Sequence, residues 1–196
     1  MDDIKSAREI AREKVEELGV ATEEERLQWK YVPEGEALAG RYLRQESNLV
    51  TELGKYEEKA ARYVAKGATG ILVRNIDLPR SDDERKTNRQ VMEGLKVLKQ
   101  DKAGVENVYS KIRRIFDHYA GQGEEQREQG YQALKADFEN KMKQAMQQQL
   151  GTLGGMKIDV ERQPQFQEEW RRMQLQMDAS YNTYLNEFRR ELLAID

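Results

Sequence analysis

The 196-residue sequence has no cysteine, a single histidine and only three prolines. Without cysteine there is no disulfide framework, no thiolate nucleophile and no thiolate metal site. One histidine, His118, cannot furnish the paired Glu-x-x-His elements of a carboxylate-bridged di-iron bundle, and the residue three before it is Ile115. A Cys/His zinc site within one chain is equally out of reach. Ser–His–Asp chemistry would have to use His118, whose neighbour Asp117 points elsewhere on a helix. Gly121 and Gly123 do not make a phosphate loop, because the third glycine, a preceding strand and the GK[ST] element are missing. No apolar run reaches the length of a membrane span, and Met1 is followed at once by Asp2 and Asp3. These absences lead to an expectation of a soluble cytoplasmic protein without membrane segment, cofactor, metal or catalytic residue.

What is present is charge, at 35% of residues against 38% apolar, with a mean hydropathy of -0.94. Such a chain is too polar for a thick globular core and too patterned for disorder. Long amphipathic helices reconcile the two, each burying a stripe and leaving the rest wet. The expected fold class is all-α, a helical bundle with a long antiparallel two-helix, coiled-coil-like arm. Net charge is -3, but residues 67–120 carry 11 basic and 8 acidic side chains, so the middle of the chain is mildly basic.

Periodicity and capping chemistry place the elements. A first helix is expected from about Asp3 to Leu18. Thr22 with Glu25 forms a capping box that starts a short helix ended by Pro33 and Gly35. A longer helix follows from about Glu36 to Lys66, with Gly67 as its stop. Gly70–Arg80 is too apolar for a loop and too short for a helix, which suggests an extended segment. Ser81 with Glu84 is a second capping box, and the apolar spacing beyond it predicts one continuous helix from about Asp83 to Gln149. Gly151, Gly154 and Gly155 end that helix, and Pro164 suits the first turn of the last one. Its return would bring Phe188 to Ile195 beside Phe116 and Tyr119. The implied organisation is a bundle of residues 1–119, completed by 186–196, and an arm of residues 120–185 with its tip near 151–160.

Two candidate sites emerge. At the tip, Leu153, Met156, Ile158 and Val160 put apolar side chains where a reversal needs only polar residues and glycine, so they are candidates for partner binding. Folding back onto Leu150 and Phe166 is the plainer account of them. In Val105–Tyr119 an apolar stripe is backed by Asn107, Lys111, Arg114 and His118, which share a helical face and could grip an anion. The ordinary alternative is a polar face meeting acidic residues of the N-terminal helices. The preferred function is a non-enzymatic interaction or scaffold protein that uses the arm and its tip to bind a protein partner or a second copy. The alternative is an RNA- or ribosome-associated protein using the basic face of residues 74–118, including Arg74, Arg80, Arg85, Lys86 and Arg89. A ligand pocket beside His118 is a third reading.

Overall fold

The computed structural model describes residues 21–150 and 159–196, so the expected first helix and most of the expected tip lie outside the described residues. The fold is an all-α helical bundle: α1 (Glu23–Leu43), α2 (Leu49–Leu53), α3 (Glu58–Arg74), α4 (Asp82–Leu98), α5 (Lys102–Ala120), α6 (Gln122–Leu150), a 3-10 turn (Val160–Arg162) and α7 (Pro164–Ala194). Two compact units are present. One is Met1–Val73 with Glu93–Gln100, and the other is Arg74–Met92 with Asp101–Asp196.

In the first unit the Thr22–Glu25 capping box starts α1 as expected, each residue's side chain bonding the other's backbone N–H. The helix does not stop at Pro33. It runs on to Leu43 because Pro33 faces solvent, where the carbonyl deprived of a partner can be hydrated. The single helix expected over 36–66 is instead three pieces. Asn48 caps α2 through its side-chain oxygen, which accepts from Thr51 N–H at 3.1 Å. α3 then continues through Gly67 to Arg74, so the first residues of the expected extended segment are helical. Leu38, Leu49, Val64, Leu72 and Leu95 form the interior of this unit.

In the second unit the irregular stretch after Arg74 buries Ile76 and Leu78 completely. Several of its backbone bonds go to side chains. Asn88 accepts from Asp77 N–H at 2.9 Å and donates to Asp77 C=O at 2.6 Å, and Arg189 Nε donates to Ile76 C=O at 3.0 Å. Ser81 and Glu84 cap α4 reciprocally, as their spacing predicts. The continuous helix expected over 83–149 is broken twice. Asp101 ends the approach and caps α5 by accepting from Gly104 N–H at 2.9 Å, and Gly121 separates α5 from α6. The apolar spacing persists across both breaks, which is why periodicity alone did not show them.

α7 starts at Pro164 as expected and runs antiparallel to α5 and α6. Phe166 meets Phe138 at 5.5 Å between ring centroids, Trp170 meets Tyr131 at 5.1 Å, and Tyr181 meets Tyr119 at 5.1 Å, all edge-to-face. Gly130 has no side chain where the Met173 and Met177 thioethers pack. Farther on, Glu191 pairs with Lys111, and Asp101 N–H donates to the Asp196 carbonyl at 3.1 Å. The return therefore reaches well past Tyr119. Tyr181, not the Phe188–Ile195 segment, lies beside it.

Candidate functional site

Where α5 gives way to α6, three helices of the second unit converge. Val105, Val108, Tyr109, Ile112 and Tyr119 bury the stripe of α5, each large side chain contributing about 1.5–3 kcal/mol of apolar burial. The Tyr109 hydroxyl donates to Met92 C=O at 2.7 Å. With that stripe turned inward, the basic face of α5 turns outward beside α7.

That face does not act as one site. Lys111 is held by Glu191 at 2.7 Å and stands over the Phe188 ring, so its acidic partner comes from the last helix and not from the N-terminal ones. Asn107 is exposed and does not line the cleft that Arg114 and His118 share. Arg114 and His118 do come together, on the wall of a half-open cleft of about 550 Å³. α6 adds Gln126, and α7 adds Met177, Ser180, Tyr181 and Tyr184. His118 Nδ1 lies 2.8 Å from the Tyr181 hydroxyl, which fixes the imidazole against α7.

Tyr181 reaches this position because Gly123 lacks a side chain. A Cβ there would lie 2.8 Å from the tyrosine hydroxyl oxygen. Gly123 was the sequence signal for a close approach, although on sequence it read as part of one continuous helix. Behind Tyr181 sits a polar cluster that sequence reasoning missed. Asp178 is only 6% exposed and accepts from Arg80 Nε at 3.1 Å, while its Oδ1 has no hydrogen-bond partner. Arg127 lies over the Tyr119 ring at 4.0 Å and donates to the Tyr119 carbonyl at 3.1 Å. Burial, reinforced by the Asp178 carboxylate, pushes the Tyr119 phenol above its ordinary value. Asp178 and Arg80 are 98 positions apart, so no local pattern could have joined them.

The wider basic face is largely neutralised. Arg80 is committed to Asp178, Arg85 to Asp82 at 3.2 Å, and Lys86 to Asp83 at 3.2 Å. Of the tip residues, Leu153, Met156 and Ile158 lie outside the described residues. Val160 is described and is 1% exposed, in the 3-10 turn that packs against α6 and α7. It was a candidate for partner binding, but the chain's own helices cover it, in keeping with the plainer account in which it folds back. Among the described residues no three His, Asp or Glu side chains are grouped to hold a metal ion, and no helix is long and apolar enough to cross a membrane.

The family of unknown function DUF6657 matches residues 50–194, which is 145 of the 196 residues. The chain belongs to the DUF6657 family. The matched region begins at α2 and takes in the whole cleft, so the DUF6657 segment contains every residue of the candidate site. No curated protein and no solved structure matches the chain.

Proposed function

We propose that this DUF6657 protein is a non-enzymatic interaction protein, a helical bundle whose long antiparallel helices form a coiled-coil-like arm that presents a contact surface to a protein partner or a second copy. The supporting observation is the register of α7. One 31-residue helix, roughly 46 Å long at helical rise, keeps a constant antiparallel alignment from Asp196 beside Asp101 to Phe166 beside Phe138. Beyond Phe138, α6 continues for twelve more residues to Leu150, whereas α7 begins only two residues before Phe166. The far end of α6 thus outruns α7, and Leu153, Met156 and Ile158 follow it in sequence. Val160 is not part of the proposed surface. A cytoplasmic setting belongs to the same proposal.

Light scattering combined with small-angle X-ray scattering on the full chain measures mass and length together. Replacing Leu153 and Ile158 by Ser should leave helicity intact and abolish self-association or capture of the partner that the full chain retains. Unchanged mass and unchanged capture would remove the tip from the proposal. The RNA-associated alternative gains little from a face on which Arg80, Arg85, Lys86, Lys111 and Arg113 are already paired with carboxylates. Retention of RNA at low salt, flattened by Arg114→Ala with Lys111→Ala, would reverse that judgement.

A further inference from the structure

The cleft beside His118 combines features that the interaction reading does not use. Its volume, about 550 Å³, falls within the range of small-ligand pockets. Ile115, Met177 and the rings of Tyr181 and Tyr184 make an apolar wall. Arg114 brings a guanidinium to that wall, and among the described residues no carboxylate answers it. Its basic neighbours on α5 are spent: Lys111 on Glu191 and Arg113 on Glu106. His118 is a second potential donor. The Tyr181 hydroxyl occupies Nδ1 and orients the ring, which leaves Nε2 as the nitrogen available to a ligand.

A guanidinium presents parallel N–H donors that match the two oxygens of a carboxylate or phosphate, and an adjoining ring wall holds whatever carries that oxyanion. The geometry points to a binding site, between Arg114 and Tyr184, for a small oxyanion carried on a compact aromatic or apolar body. Carboxylates and phosphate monoesters share this chemistry. The site stands independently of the partner-binding proposal, since its residues lie outside the tip.

Nuclear magnetic resonance titration of the full chain with benzoate, phenyl phosphate and inorganic phosphate tests the assignment. Saturable shifts of the His118 and Tyr184 rings are expected with benzoate or phenyl phosphate, and the tighter of the two identifies the oxyanion. Inorganic phosphate, lacking a body, should bind about tenfold more weakly or worse. Arg114→Gln should weaken binding by about tenfold or more, as loss of a charge-assisted contact implies. Tyr184, 54% exposed, should when replaced by Ala cost binding but not folding, which circular dichroism checks. Lys111→Gln, which touches Glu191 rather than the cleft, should bind as the unaltered chain does. Absence of saturable shifts with every probe, full affinity in Arg114→Gln, or equal losses in Arg114→Gln and Lys111→Gln would overturn the site. Inorganic phosphate binding as tightly as phenyl phosphate would overturn the role of the apolar wall.

Discussion

Gly35 of α1 and Gly67 of α3 meet at a helix crossing that leaves neither of them room for a side chain. A Cβ on Gly35 would lie 2.0 Å from the Val64 carbonyl oxygen, and one on Gly67 would lie 2.1 Å from that of Val32. Both obstructions are backbone, which cannot step aside without separating the helices. Gly67→Ala is therefore expected to destabilise the protein by about 3 kcal/mol or more, despite alanine's better helix propensity. Three residues on, Gly70 has nothing within 4 Å of a built Cβ. Gly70→Ala should stabilise by about 0.5–1 kcal/mol. Thermal melts of the two variants must move in opposite directions, and a shared direction would refute the crossing.

The same pair shows where sequence reading succeeds and where it stops. Gly35 and Gly67 read as helix ends, because a glycine that terminates a helix and one that admits a neighbouring helix are chemically the same. The distinguishing signal is reciprocal: Val32-Pro-Glu-Gly35 and Val64-Ala-Lys-Gly67 each put a carbonyl three residues before a glycine, and each carbonyl meets the other's glycine. Local chemistry was legible wherever it is self-contained, as at Thr22–Glu25, Ser81–Glu84 and Pro164. So was the burial of Ile76 and Leu78. At the candidate site, Arg114 and His118 were found because they share a helical face. Tyr181 and Asp178 were not, because the register of α7 brings them there from more than 60 residues away.

Asn88 holds both backbone groups of Asp77, in the non-helical stretch between α3 and α4. Asn88→Asp preserves shape but replaces the Nδ2 donor with an oxygen facing the Asp77 carbonyl. At neutral pH a cost of about 3 kcal/mol is expected, from one lost bond and one poorly solvated charge. Asn88→Ala, which merely leaves the two groups unpaired, should cost about 2 kcal/mol. Urea denaturation gives both values. If Asn88→Asp were as stable as the unaltered chain, the two-bond role of Asn88 would be wrong.

Asp178 and Arg80 form a lopsided pair, the carboxylate nearly enclosed and the guanidinium 40% exposed. Burial works most strongly against the charge on Arg80, but the hydrogen bond to Asp178 and the charges of Asp178 and Asp77 together outweigh it, so the guanidinium is held above its ordinary value. Removing Arg80 alone strands the buried carboxylate, and Arg80→Ala should cost about 2 kcal/mol, less than for a wholly buried pair because solvent screens it. Replacing both residues, Arg80→Met with Asp178→Leu, should recover most of that loss. A double variant no more stable than Arg80→Ala would mean that the charges themselves hold α7 in place.

Glu161 ties the 3-10 turn to α6. The Lys135 ammonium, hydrogen-bonded at 2.5 Å, and then the Tyr131 hydroxyl hold its carboxyl below the ordinary 4.5. A depressed carboxylate stabilises the fold fully above its unfolded value and loses that contribution as pH falls through the folded one. Stability should therefore decline from about pH 4.5 downward, and Glu161→Gln, which lacks this contribution at every higher pH, should shallow the decline. Because the cluster is exposed, the difference between the two proteins should shrink in 1 M salt, where screening acts within about 3 Å. Carboxyl titration of Glu161 by nuclear magnetic resonance, alongside melting curves from pH 7 to pH 3, reads both effects. A Glu161 that titrates at or above 4.5 would show that the Lys135 bond does not hold in solution.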